Sequence, residues 1–252
     1  MSQVNRDVLT QYLNELLKPE GFKDYCPNGL QVEGREEIRR LVCGVTANQA
    51  LLDLAIAEQA DAILVHHGWF WRGETGVITG IKRNRLKTLL ANDINLYAYH
   101  LPLDAHPALG NNVGLAKAAG WQQTGVFGEQ GLGCIGIPEA PATVATLAAN
   151  LEKSLGRPPF VLAESLDQPI GRIAWCTGGA QSYFEAAIAA GADAFVTGEV
   201  SEPMVHLARE TGAAYIAAGH HATERFGVQA LGEAIAAHFG IGVRYLDVDS
   251  PV

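Results

Sequence analysis

Residues 47–68 read ANQALLDLAIAEQADAILVHHG, and this stretch decides the fold. An Ala-rich amphipathic segment over 47–59 predicts a helix. A short apolar run over 61–66 predicts a strand, and the run closes on two adjacent histidines. A helix that feeds a Val/Ile/Ala-rich strand is the repeating unit of α/β layers. The same alternation extends outward from it. Strands are predicted at 41–45, 61–66, 95–100, 133–138, 172–177, 194–198, 213–218 and 243–248. Helices are predicted at 47–59, 84–92, 112–119, 141–154, 180–190, 202–211 and 223–239. A further helix is predicted over 2–17, capped by Ser2 and stopped by Pro19 and Gly21. Pro27-Asn28-Gly29 reads as a turn.

The deciding stretch also has an echo. Gln49, Ala55, Ile56, Ala57, Ala60, Asp61 and Ala62 match Gln181, Ala187, Ile188, Ala189, Ala192, Asp193 and Ala194 at a constant spacing. His100 and Asp104 likewise match His220 and Glu224, and Gly120 matches Gly240. Two echoes in the same order predict two related α/β halves with mostly parallel sheets. The stretch 124–171 is the least patterned, which places the halves at 1–123 and 124–252. Asp61 and Asp193 fall at strand starts and read as turn or capping residues.

Composition bounds the chemistry. The chain has 252 residues, 18% of them charged, and a net charge of −9. A balance this acidic argues against broad nucleic-acid binding, which needs clustered Lys and Arg. A chain of this length needs no metal merely to fold, so any metal site here serves chemistry. Cys26, Cys43, Cys134 and Cys176 form no C-x-x-C pair and read as buried thiols. No apolar h-region opens the chain and no run reaches the length of a membrane span, so a soluble cytoplasmic protein is expected.

The candidate chemistry sits at strand ends. In open α/β sheets, ligands bind beyond the carboxyl ends of the strands. Val65-His66-His67-Gly68 ends one strand, His100-Leu101-Pro102-Leu103-Asp104 follows the next, and Gly219-His220-His221-Ala222-Thr223-Glu224 follows the strand over 213–218. Neighbouring residues on a strand point to opposite faces, so His66 and His67 are placed to bracket two ions. His220 and Glu224, four apart, share a helical face. Imidazole mixed with carboxylate suits Zn, Fe, Mn or Co, and one glutamate can bridge two ions. Position 67 is His where its echo, 199, is Glu. The halves therefore read as contributors to one site at their interface.

Pro27-Asn28-Gly29-Leu30-Gln31-Val32-Glu33-Gly34, Thr197-Gly198-Glu199 and the three strand-end motifs together resemble the signature blocks of the NIF-three-like family, also labelled GTP cyclohydrolase I type 2 homologues. The chain is similar to the short bacterial YbgI-type members over essentially its whole length. The resemblance implies two α/β domains with a dinuclear metal centre between them and a ring-shaped homohexamer. It implies His66, His67, Asp104, His220 and Glu224 as ligands of two divalent transition-metal ions per chain, with Glu224 shared.

Beyond the ligands, His100 and Glu199 are candidates for ligand orientation or acid–base catalysis. His106 is a weaker candidate for lining the pocket; His206 and His238 read as ordinary histidines. Trp69-Phe70-Trp71 can wall a pocket, stack on a base or pack against another subunit. Lys82, Arg83, Arg85 and Lys87 form the one dense basic run, read either as a solvated helix start or as a phosphate-binding patch. The expected function is metal-dependent hydrolysis by metal-activated water, of the cyclohydrolase or amidohydrolase kind. The alternative is a non-catalytic metal-binding or nucleic-acid-associated ring protein.

Overall fold

Asn5, not Ser2, caps the first helix of the computed structural model, which describes residues 2–252. Its side chain accepts from the Asp7 amide, and the helix runs Arg6–Leu17. Leu9, Leu13 and Leu17 recur every four residues, so one face is buried. Lys18 then takes a left-handed conformation and a short 3-10 turn over Pro19–Gly21 follows, so the chain stops where Pro19 and Gly21 predict.

Contacts divide the chain into two compact units, one of residues 1–103 with 227–249, the other of 104–226 with 250–252. This differs from a division near 123. The last strand, Gly242–Tyr245, pairs in parallel with Arg40–Thr46, and that pairing returns the C-terminal segment to the first unit. The new division also assigns Asp104 to the second unit.

The first unit holds a five-stranded sheet in the order Gly242–Tyr245, Arg40–Thr46, Ala62–His67, Asn95–Ala98, Gly29–Val32. Three pairings are parallel and the edge strand Gly29–Val32 is antiparallel. The sequence assigns no strand there, because Pro27, Asn28 and Gly29 signal a turn and the strand's partner lies far along the chain. Leu51, Leu52 and Ala55 of helix Gln49–Ala57 are buried against Val42, Ile63 and Val65. Each buried leucine contributes about 1.5–3 kcal/mol.

The second unit holds a six-stranded sheet in the order Phe160–Leu162, Ala214–Ala217, Ala194–Thr197, Ile173–Trp175, Gly133–Pro138, Trp121–Phe127. Only its two central pairings are parallel. The expectation of mostly parallel sheets therefore holds for the first sheet and fails for the second, which is mixed. The strands responsible are short edge segments and the hairpin 121–138, where Thr124, Gly125 and exposed Gln122 and Gln123 carry no strong apolar run.

The internal echo is a structural one. Asp61 Oδ2 accepts from the Arg39 and Arg40 amides at 2.8 and 2.9 Å. Asp193 Oδ2 accepts from the Gly171 and Arg172 amides at 2.9 and 2.8 Å. Each carboxylate thus ties down the amides at the start of the neighbouring strand, away from the carboxyl ends. Asp61→Asn should cost about 1–3 kcal/mol, the range for a hydrogen bond made by a charged group, and should leave metal content unchanged. Thermal melts paired with metal analysis check this.

Candidate metal centre

In the first unit the parallel strands bring His66, His67 and His100 to one carboxyl edge. His66 is fully buried, and its Nδ1 lies 3.0 Å from the Tyr99 carbonyl oxygen. A carbonyl only accepts, so Nδ1 carries a proton and, in the neutral ring, Nε2 carries the lone pair. His67 Nδ1 lies 3.2 Å from Thr46 Oγ1, and the His67 carbonyl accepts from the Ala47 amide at 2.8 Å. His100 Nδ1 lies 2.7 Å from Asp24 Oδ1. The Asp24 side chain is 4% exposed and also accepts from Asn28 Nδ2 and the Leu101 amide. The His100 amide donates to Asn28 Oδ1.

The three rings cluster. Their centroids lie 4.6 Å (His66–His67), 5.0 Å (His66–His100) and 5.8 Å (His67–His100) apart, and each offers a nitrogen within 4.8 Å of the others'. Strict strand alternation predicts opposite faces for His66 and His67. The strand ends at His67, and the rings lie closer than alternation dictates. Their separation is still compatible with one ring on each of two ions ~3.5–4 Å apart. Trp71 stands edge-on to His100 at 5.1 Å and 6.0 Å from His67, so it walls the cluster. Trp69 is buried and its indole donates to the Ala47 carbonyl, a packing role.

Burial raises the Asp24 pKa, but the His100 contact outweighs it and holds the carboxyl at about 2. The folded value lies below the unfolded value of ~3.9, so the stabilisation is complete above that pH and is lost as pH falls towards 2. It should amount to about 2–3 kcal/mol. Chelator-treated wild type should lose that stability between pH 5 and pH 2, and Asp24→Asn should not. Denaturant melts across that range check the sign.

The second unit brings its own donors to the carboxyl ends of its strands. Asp104 is buried, and its Oδ1 accepts from Asn111 Nδ2 at 2.8 Å and Thr177 Oγ1 at 3.3 Å. His220 Nδ1 lies 2.7 Å from Glu199 Oε1, and its Nε2 lies 3.1 Å from Glu224 Oε2. The short helix His220–Thr223 places the last pair on one face, as their spacing predicts. Burial lowers the His220 pKa, while Glu224 and Glu199 raise it more, to about 9. Burial, then the charges of Asp104 and Glu224, push the Cys176 thiol well above its usual range, so no thiolate competes there.

Gly178 completes this edge with a φ of +72°, and a Cβ there would collide with the Glu224 carboxylate. Its amide donates to Thr223 Oγ1, and its carbonyl accepts from Thr197 Oγ1.

The donors fit a transition metal in kind. His66, His67 and His220 each have Nδ1 held by a protein oxygen, the arrangement that fixes a ligating ring and its tautomer. Asp104 and Glu224 are buried carboxylates, which need a cation or strong donors. His100 and Glu199 both adjoin the donor sets, and Glu199 orients His220 directly. Among the basic run, helix Gly80–Asn92 begins before the predicted start at 84, and Lys82 and Arg85 face a cavity while Arg83 and Lys87 are exposed. His106 Nδ1 accepts from the Ala108 and Leu109 amides, which fixes a local turn. His206 lies beside Glu202 on an exposed face, and His238 stacks on Tyr12. All four cysteines are buried and free.

Asp24, Thr46, Asn111 and Thr177 are absent from the sequence-predicted set. Asp24 and Asn28 adjoin the Pro27-Asn28-Gly29 block, whose pairing of polar residues with a Pro-Asn-Gly turn is the one available signal. The others are common polar residues whose role depends on long-range pairing.

Imidazole and carboxylate donors gather at the carboxyl ends of strands in each of two α/β units, and groups of them stand close enough to hold a metal ion. Residues 4–251 match Duf34/NIF3 (NGG1p interacting factor 3), and the chain belongs to that family. It is 54% identical over 244 residues to a Yersinia pestis protein named GTP cyclohydrolase 1 type 2 homolog, covering 96% of this chain and 98% of that one. A Pseudomonas aeruginosa protein of the same name is 52% identical over 246 residues, covering 96% and 97%. Among solved structures, protein ybgI, described as of unknown function, superposes with a TM-score of 0.95 at 50% identity, covering 99% of this chain and 100% of that one. TTHA1606 from Thermus thermophilus gives 0.88 at 35% identity, covering 99% and 100%. No helix among the described residues is long and apolar enough to cross a membrane.

Proposed function

We propose that the chain is a dinuclear metal-dependent hydrolase acting on cyclic amidine or amide substrates. In this reading His66, His67, Asp104, His220 and Glu224 together hold two divalent ions, of Zn, Fe, Mn or Co, with Glu224 shared. The observation that carries it is the fixing of Nδ1 in all three proposed ligand histidines by Tyr99 O, Thr46 Oγ1 and Glu199 Oε1. The bound ions would supply Lewis acidity and acidify water for attack on the substrate.

The chain's own residues supply the rest. Asp24 holds the Nδ1 proton of His100, so His100 Nε2 can take up or deliver a proton as the ring opens or the leaving nitrogen departs. Glu199 keeps His220 in register. Trp71 screens one side of the histidine cluster from water. The relatives' name points to opening of a purine ring by water, and the sequence has no P-loop, so any nucleotide would be held by other groups. The family resemblance supports a cytoplasmic ring-shaped homohexamer, which light scattering of the purified protein tests.

The test compares chelator-stripped protein with protein reconstituted with each metal, on GTP and a panel of cyclic amidines and amides, following loss of ring absorbance. Turnover should require metal and fall at least about a hundredfold in His100→Ala. Equal rates with and without metal on every substrate would leave the non-catalytic metal-binding alternative in place.

A further inference from the structure

Within the first unit, the loop after the histidines and the helix that follows enclose a cavity of about 440 Å³. Trp69, Thr75, Thr79, Ile81, Lys82 and Arg85 are among its walls. That volume lies in the range of small-ligand clefts, roughly 300–1,000 Å³. Two cations face it in a chain whose net charge is −9. Arg85 Nε is shielded from solvent and has no hydrogen-bond partner among the described residues. Because that atom is shielded, Arg85 would meet an anion in the cavity through its terminal guanidinium nitrogens, beside the Lys82 ammonium. Lys82 is 20% exposed; its Nζ lies 3.3 Å from Glu74 Oε2 and 4.9 Å from the centre of the Phe70 ring. Glu74 also lines the cavity, so two positive groups face one negative group. The hydroxyl-bearing Thr75 and Thr79 stand beside them, and exposed Val77 and Ile81 supply an apolar margin.

We propose that this cavity binds the phosphate of a small phosphorylated molecule that also carries an apolar or aromatic body. Arg85 supplies a planar fork for two phosphate oxygens and Lys82 a point charge. Arg83 and Lys87, exposed elsewhere on the helix, take no part. This divides the basic run by role, which its sequence alone does not do. The cavity is tied to the histidine edge by chain connection, since Trp69 follows His67 with only Gly68 between them. Its binding does not depend on metal, so it stands or falls apart from the hydrolase reading.

The test is calorimetry of chelator-stripped and metal-loaded protein with a nucleoside 5′-monophosphate, the matching nucleoside, inorganic phosphate and a dicarboxylate. The monophosphate should bind at one site per chain in both forms, more tightly than inorganic phosphate, and the nucleoside should bind far more weakly than either. Arg85→Gln should weaken the monophosphate about tenfold or more, Arg85→Lys by less, and Arg83→Ala not at all. Glu74→Gln should tighten it severalfold, because Lys82 then has no competing carboxylate, and a merely structural role would not give that gain. Melting curves confirm that each variant is folded. Absence of saturable binding by wild type, equal binding by Arg85→Gln, or a dicarboxylate that binds as well as the monophosphate would overturn the proposal.

Discussion

Glu224→Gln is expected to lower total metal content more than Asp104→Asn does, and to weaken both sites together. The proposed roles differ in kind. Glu224 is assigned to both ions and Asp104 to one. Removing a bridging carboxylate takes a donor from two coordination spheres. It also removes negative charge that offsets repulsion between two cations a few ångströms apart. Losing only the partner of a ligand typically costs ~10–100-fold in metal affinity, and loss of a direct ligand should cost at least as much. Asp104→Asn should therefore depress one site by that factor and spare the other. Both carboxylates are buried and partnered, Glu224 with His220 and Asp104 with Asn111 and Thr177, so both variants should also be less stable than wild type when stripped. Metal titrations of the two variants, with Asp61→Asn as a control of wild-type affinity, check this. An outcome in which Asp104→Asn empties both sites and Glu224→Gln only one would reverse the assignment.

Gly178→Ala is the second variant with a large expected effect, although glycine carries no donor. Its φ of +72° already disfavours any other residue, at a cost of roughly 1–3 kcal/mol. The new methyl would also occupy the space of the Glu224 carboxylate, so Glu224 must swing away. Metal retention should fall about as far as in Glu224→Gln, while the protein stays folded with a melting temperature a few degrees lower. Gly212→Ala is the matched control. Gly212 is also left-handed, at +72°, but its nearest neighbour is the Glu164 side chain, 3.8 Å away, and no donor. It should lose stability and keep its metal. If both variants lose metal alike, the effect is backbone strain alone and Gly178 has no special part.

Much of the fold is legible in the sequence because its period is local. The helices Gln49–Ala57 and Glu202–Thr211 and the strands Ala62–His67 and Gly133–Pro138 lie on or close to their predicted bounds. The two strands and helix Gln49–Ala57 carry a marked apolar signal, and helix Glu202–Thr211 is bounded by Pro203 at its start and Gly212 at its end. What is not legible depends on pairing partners. Gly29–Val32 and Phe160–Leu162 are strands because distant edges recruit them in antiparallel register, and Trp121–Phe127 because it folds back on Gly133–Pro138 as a hairpin; their own residues do not announce it. The unit boundary escapes sequence reading for the same reason, since Gly242–Tyr245 joins a sheet whose other strands lie in the first part of the chain. At the site, His66, His67, His100 and His220 are visible as residue types of rare placement. Their fixing partners are not, because a tyrosine carbonyl or a threonine hydroxyl is chosen by backbone geometry. The His220–Glu224 contact is the exception, a helical spacing that sequence reads directly.

The dinuclear assignment is tested most directly by anomalous diffraction from crystals of metal-loaded protein. Two strong peaks per chain are expected, ~3.5–4 Å apart. His66 should lie on one and His67 on the other, with a Glu224 oxygen on each. A single ion held jointly by His66 and His67, or two ions in separate places with no shared carboxylate, would contradict it.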